Sequence, residues 1–427
     1  MPQPSRSANL IWLGLLAAAV LIPYLFGALT GQPEAGLSGL AAWRSAAADA
    51  YCARGVTPLV WLHVGGVAGL AALTLAGRRL GALGAALAGA RGWYLAALAA
   101  LIALPFLTAA VTDSSACSRG QAFFWQAIFV DVFILAILAI SYNLMFGFVG
   151  VVSFGHAAFF GLGAYSVGLL MEHLAWPWWG AVLGSLAISV VIALIKGFVG
   201  LRIRGLYFAL FTLAFAQVFF LLAGNRLLVD ITGAEDGFTF AVPDFLNMTR
   251  NRLFFYYLGL AAMVFAFLVV QQLMRSPTGR VLVAVRDNEG RAQMLGYNTF
   301  HFKLIAIILA GVLAGGAGVL RGLALKGASP EVLGLDFTMT PLIMTLVGGQ
   351  ATFAGPVLGA FGLHLLEDFL RDTVVTVAGV SINIGERWAL ILGVIFILIV
   401  IVFPYGIVGT VQNQWRKRRA RRASTPS

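Results

Sequence analysis

The sequence predicts an all-α integral membrane protein, a polytopic helical bundle of about 10–12 membrane segments. Three observations carry this. Hydrophobic residues make up 60% of the 427 positions, charged residues 11%, and mean hydropathy is +0.92. Apolar runs recur near the ~20 residues that a helix needs to cross the hydrocarbon core. Basic residues fall mainly in alternate inter-span loops, the bias that orients membrane helices.

Twelve crossings are expected, near 10–29, 58–76, 93–112, 122–146, 154–170, 178–195, 205–224, 253–274, 302–323, 337–349, 354–370 and 387–410. The first has a long apolar run behind only Arg6, so it reads as a retained span rather than a cleaved leader. Alternation from a cytoplasmic N-terminus puts Arg6, Arg78, Arg79, Arg91, Lys196, Arg202, Arg204, Arg275, Arg280, Arg286, Arg291, Lys303 and the tail Arg416 to Arg422 inside. Both termini are then cytoplasmic. The net charge of +11 follows from this topology, and the tail WRKRRARR reads as an anchor that meets anionic membrane lipid, not nucleic acid. Cys52 and Cys117 fall in outside loops. They could form a disulfide in an oxidising compartment, but unrelated free thiols are the reading that the sequence favours.

Residues 141–165, SYNLMFGFVGVVSFGHAAFFGLGAY, place a charge-free turn, Gly147 to Gly150, between two spans. A water-exposed turn recruits polar residues, so an apolar one implies backbone turning at membrane depth under a protein cover. Gly155, Gly161 and Gly163 let neighbouring helices approach closely. Asn143, Ser153 and His156 either line a path here or satisfy backbone groups freed by the turn; for His156 the structural role is favoured. A second break, GGQATFAGPVLGAFGL at 348–363, repeats Gly150, Phe154 and Gly163 at an offset of 199 residues as Gly349, Phe353 and Gly362. Both breaks follow an inward-going span, the pattern of a parallel repeat. Tyr207, Thr212 and Gln217 lie on the span at 205–224, with Thr212 and Gln217 on different faces. The outside loop DITGAEDG carries Thr232, Gly233, Asp236 and Gly237 and reads as an ordinary solvated loop, a gate or a docking site.

The stretch RSPTGRVLVAVRDNEGRAQMLGYNTFHFK, 275–303, is a charged island between two spans. Ser276 can cap a first short helix with Pro277 in its first turn; Asp287 can cap a second, running from Asn288 to Leu295, and Gly296 sits where it stops. A self-capped helix in water between two spans is a docking element. None of the four lysines is preceded by glycine, which excludes a phosphate-binding loop of the GxxxxGK[ST] type. HExxH, CxxC and GxSxG are absent, so metal, redox and hydrolase chemistry have no support, and no cofactor is expected on this chain. Asp131, about two turns inside the outer end of its span, is the one candidate carboxylate at depth, Glu367 and Asp368 falling in the last turn of theirs, whereas a proton-driven carrier needs buried ionisable groups.

In this order, SYNLMFGFVGVVSFGHAAFFGLGAY, RGLYFAL, ITGAEDGF, VLVAVRDNEGRAQMLGYN and LVGGQATFAGPVLGAF resemble the M-type permease subunits of branched-chain amino acid ABC importers. The resemblance covers about 122 to 410. It implies a permease core over 122–410, a three-span N-terminal extension over 1–121, and a basic cytoplasmic tail over 411–427. It implies a second, H-type permease, two ATPase subunits that hold ATP and Mg²⁺, and a periplasmic substrate-binding protein, in a bacterial inner membrane. The island becomes the coupling loop, with Arg286, Asp287, Asn288, Glu289, Arg291, Ala292, Leu295 and Gly296 facing the ATPase. The outer loop departs from the family's doubled glycine by reading Gly233-Ala234. Leu, Ile and Val are the implied substrates. The alternatives are a same-family permease for urea, amides, other amino acids or a sugar, and a stand-alone secondary transporter or channel.

Overall fold

The computed structural model describes residues 25–26, 28–32, 39–52, 58–76, 90–117, 120–203, 205–371, 374–377 and 380–423. The expected span at 10–29 lies almost wholly outside them, as do Arg6, Arg78, Arg79 and Arg204. The chain divides into two units: residues 1–129 with 251–257, and 130–250 with 258–427.

In the first unit α1 (Gly39–Cys52), α2 (Pro58–Ala76) and α3 (Ala90–Val111) precede the start of α4 (Gln121–Asn143). Its core gathers Val60, Phe106, Ala109, Ala116 and Ala122, with Tyr51 and Tyr257 packed against them. Tyr256 and Tyr257 donate to the carbonyls of Leu101 and Ile102 on α3, at 2.6 and 2.9 Å. Cys52, at the end of α1, is bonded to Cys117 with their Cα atoms 5.1 Å apart. The sequence favoured free thiols because nothing local encodes a pairing across 65 residues. Next to the bond, Ser115 Oγ donates to the Cys52 carbonyl at 2.6 Å.

In the second unit α4 runs into a π-helical turn, Leu144–Val149, then α5 (His156–Glu172), α6 (Trp178–Gly200) and α7 (Leu206–Ala223). After a connecting segment come α8 (Arg252–Arg275), α9 (Pro277–Asp287), α10 (Glu289–Met294) and α11 (Thr299–Leu325). The chain closes with α12 (Asp336–Gly348), α13 (Gly355–Arg371), α14 (Trp388–Val402) and α15 (Gly406–Ala423). Two strand pairs are antiparallel: β1 (Phe238–Thr239) with β2 (Gly327–Ala328), and β3 (Val374–Val377) with β4 (Val380–Asn383).

Small residues build the centre. The α5–α11 pair sets Phe160 against Gly318 and Ala164 against Gly322, and a Cβ at Gly163 would strike the Gly315 carbonyl. Backbones this close leave no room for side chains, which is how helices pack tightly without a hydrophobic drive between them. The α11 span is 67% buried, whereas the span from Trp388 to Gln414 is 6% buried and presents apolar surface almost all round.

Among the described residues seven helices are long and apolar enough to cross a membrane. They occupy the expected crossings at 93–112, 122–146, 178–195, 205–224, 253–274, 302–323 and 387–410. The last of these bends at Phe403–Tyr405, where Gly406 has φ +68° and α15 begins. At 58–76 the shorter apolar stretch is Val60–Ala72. The remaining three are also short: α5 and α13 have 17 residues each and α12 has 13. At 1.5 Å per residue α12 rises only about 20 Å, short of the ~30 Å hydrocarbon core. It packs back against α13, so this pair is a hairpin around the second glycine-rich break.

Candidate coupling and translocation site

The island folds as two capped helices. Ser276 Oγ accepts from Gly279 N at 3.3 Å with Pro277 in the first turn, and Leu282 and Val285 bury one face of α9. The second cap differs from expectation. Asp287 closes α9, and Asn288 is the cap of α10, its Oδ1 accepting from Arg291 N at 2.9 Å. The extended backbone of Asn288 (φ −160°, ψ 99°) aims its side chain back at the new helix, which Asp287, still helical, cannot do. Thus α10 spans six residues, and Gly296 ends it at φ +87°. Glu289 pairs with Lys303 at 2.6 Å and Gln293 Nε2 donates to Thr299 Oγ1 at 3.0 Å, tying α10 to α11. Ala292 is buried beneath it, while Met294 and Leu295 are 88% and 71% exposed. Asp287, Asn288 and Arg291 are exposed on the same element.

Above this loop the two glycine-rich breaks meet. Asn143 Nδ2 donates to the Thr352 carbonyl and its Oδ1 accepts from Ala351 N, both at 2.9 Å. Phe148 and Phe353 pack with ring centroids 5.3 Å apart. A Cβ at Gly147 would meet both Asn143 and Ala351 N, and Gly150 (φ +78°) lies against the stem of Arg286. Arg286 also lines, with Gln350, Thr352, Tyr405 and Gln412, a concavity of about 240 Å³ between α9, the second break and α15. The internal repeat is visible in helix ends: α5 starts at 156 and α13 at 355, and they end at 172 and 371, each 199 residues apart. Gly150 and Gly349 both take positive φ, but the pairing lapses at Gly163 and Gly362, since a Cβ at Gly362 meets nothing.

Each polar residue of the first break is spent on an internal partner. Ser153 Oγ accepts from Gly155 N at 3.3 Å and from Lys196 Nζ at 2.9 Å. Lys196 Nζ also donates to the Gly155 carbonyl at 2.9 Å and lies 4.4 Å from the centroid of the Phe159 ring. Lys196 is therefore not a loop charge: it sits on α6, fully buried, and pins the turn. Its signal in sequence is a single lysine inside IALIKGFVG, where an apolar run continues on both sides. Ser141 Oγ donates to the Leu138 carbonyl at 2.7 Å, so at 2.8 Å from His156 it accepts from Nε2–H. Thr212 Oγ1 accepts from Phe154 N at 3.0 Å, and a Cβ at Gly155 would collide with the Thr212 carbonyl. Tyr207 and Gln217, on the other faces of α7, are exposed and join none of this. Thr338 Oγ1, which the sequence did not single out, accepts from Ala157 N at 2.9 Å.

The loop at 230–237 is ordered by Thr232, buried, which donates to the carbonyls of Ala223 and Leu228 at 2.9 and 3.0 Å. Gly233 and Gly237 have φ +72° and +71°, and Asp236 is exposed. Ala234 also takes positive φ, +49°. Asp131 does not stand alone in its span: it is paired with Arg321 of α11 at 2.5 Å. No group of three or more potential metal ligands occurs among the described residues.

Comparisons agree with this architecture. Residues 125–402 match the family model described as branched-chain amino acid transport system / permease component. The chain is 26% identical over 307 residues to the high-affinity branched-chain amino acid transport system permease protein LivM of Salmonella typhimurium, covering 66% of this chain and 69% of that protein. It is 23% identical over 312 residues to a probable LivM of Methanocaldococcus jannaschii, covering 64% and 89%. Similarity to the autoinducer 2 import system permease protein LsrC of Salmonella paratyphi B is shorter, 26% over 175 residues. No solved structure matches. With the breaks, the capped loop and four of the seven apolar spans wholly inside the matched residues, this multi-pass membrane chain belongs to the branched-chain amino acid transport system permease family.

Proposed function

We propose that this chain is one transmembrane half of an ATP-driven importer, passing Leu, Ile and Val across a bacterial inner membrane with both termini in the cytoplasm. Residues 122–410 are the permease core and 1–121 an extension. A second, H-type permease forms the other half of the path. Two ATPase subunits bind ATP and Mg²⁺ and hydrolyse it, and a periplasmic binding protein delivers the substrate. The single observation that carries this reading is Arg286. It belongs to the docking loop, yet its stem rests on Gly150 of the first break and it lines a concavity with Thr352 of the second. A push on the loop is thus applied directly to the two places where the membrane helices turn. The exposed Met294 and Leu295 supply an apolar contact for the ATPase. Path residues need little polarity, because a branched aliphatic side chain asks only for apolar surroundings.

Charge reversal at Arg286 and Arg291 tests the reading. The ATPase subunits should no longer co-purify with the double variant, or should hydrolyse ATP without leucine uptake. Unchanged co-purification and uptake would sink it. The LsrC similarity favours, as a second reading, a same-family permease for a different solute. Exchange of the binding protein discriminates between the two.

A further inference from the structure

Helix α7 buries one side and bares the other. Phe208, Ala209, Thr212 and Ala216 are buried, and on that side Thr212 holds Phe154 N and lies against Gly155. Leu210, Ala214, Gln217, Val218 and Leu221 are exposed, and their helical spacing puts them on one stripe. Gln217 is the anomaly in that stripe. It lies 11 residues past Leu206 and 6 before Ala223, about 16 Å and about 9 Å from the helix ends at ~1.5 Å per residue. Its carboxamide has no hydrogen-bond partner among the described residues. Hydrocarbon supplies none either, so a carboxamide turned to lipid at this depth would be left unsatisfied at a cost.

Among the described residues of the seven long spans, no other carboxamide or charged side chain is exposed more than one turn from a span end. The exposed stripe of α6, Leu183, Ala187, Val191 and Ile195, is apolar throughout, and α14 carries no carboxamide, hydroxyl or charge from Trp388 to Val402. Lipid tails can cover those faces. They cannot bond a carboxamide, whereas a helix with a polar side chain can. The α7 stripe also has the shape to receive one. Ala214, one turn before Gln217, is small enough to let a second backbone approach. Phe211, Phe215 and Phe219 border the stripe, with successive ring centroids 6.1 and 5.2 Å apart. We propose that this stripe of α7 is the seam with the second permease, and that Gln217 bonds a polar side chain on the helix that covers it. This rests on the two-permease importer proposed above. The buried side of the same helix holds the first break, so a shift of the partner at the seam reaches Phe154 and Gly155 across one helix.

The test uses the complete transporter in native membranes. A photoreactive benzophenone amino acid placed at Val218, and separately at Leu221, should cross-link to the second permease, identified by mass spectrometry. The same group at Val191 on α6 should not. Cross-links from both α7 positions to lipid alone, to residues 1–121 of the same chain or to a second copy of it overturn the proposal. Gln217→Leu keeps the size and removes the polar group. It should lower the share of second permease retained through a detergent wash about three- to tenfold, the range for one hydrogen bond between membrane helices, with the amount of inserted chain unchanged. Retention equal to that of the unaltered chain overturns the proposal, since a lipid-facing residue behaves that way. Absence of any second permease beside the unaltered chain strikes the importer reading instead, because the effects here are ratios of variant to wild type.

Discussion

Replacing Lys196 by methionine should loosen the first break. Methionine fills nearly the same volume but donates no hydrogen bond. Two bonds of 2.9 Å and the contact with the Phe159 ring disappear together. Ser153 Oγ keeps one partner, Gly155 N, whereas the Gly155 carbonyl loses the Lys196 donor inside a fully buried site. Leaving such an acceptor unsatisfied costs about 1–3 kcal/mol, and a lost hydrogen bond adds about 1 kcal/mol. Against this, removing a buried amino group relieves its desolvation. The net expectation is about 2 kcal/mol of destabilisation, concentrated at residues 150–156. Thermal unfolding in detergent, with hydrogen exchange of the 150–156 amides, measures it. Lys196→Gln, which keeps N–H donors, should lose less. Lys196→Arg should not rescue, because a guanidinium fork has no space where Nζ sits fully buried. If Lys196→Met melts and exchanges like the wild type, Lys196 does not pin the turn and the argument fails.

Three further substitutions probe other parts. Ala234→Gly relieves a φ of +49° that an L side chain adopts at a cost, so it should raise stability by up to about 1 kcal/mol, read as an increase in Tm; a decrease would contradict the strain. Asn288→Ala removes the α10 cap and should cost about 1 kcal/mol locally, seen as faster exchange of the Arg291 amide and weaker retention of the ATPase subunits on a column. Gly163→Leu should abolish folded protein in gel filtration, since its Cβ meets the Gly315 carbonyl. Its repeat partner, Gly362→Leu, meets nothing and should change stability by less than about 0.5 kcal/mol.

Much of this molecule was legible before its fold. The spans were readable because hydrocarbon accepts only backbone that satisfies itself, and a helix needs a fixed apolar length to do so. The island's first helix was readable because Ser276 and Pro277 cap it from within three residues. The second start was misplaced by one residue. Asp287 and Asn288 are both good caps, and only the backbone angle at Asn288 chooses between them. The apolar turn at Gly147–Gly150 announced a break, but not what would cover it.

Sequence by itself determined the seven long apolar helices, where the chain breaks, and that a capped charged loop lies between two of those helices. These properties depend on neighbours a few residues apart. Tertiary structure decided the partners: Asn143 with Thr352 across 209 residues, Asp131 with Arg321 across 190, Lys196 with Ser153 across 43, and Cys52 with Cys117 across 65. A buried polar group must find a partner somewhere, but composition does not say which, because the match is made by helix packing. Glycines at 155, 163 and 318 bring the backbones close enough to set that packing, and the polar pairs then form where the helices cross.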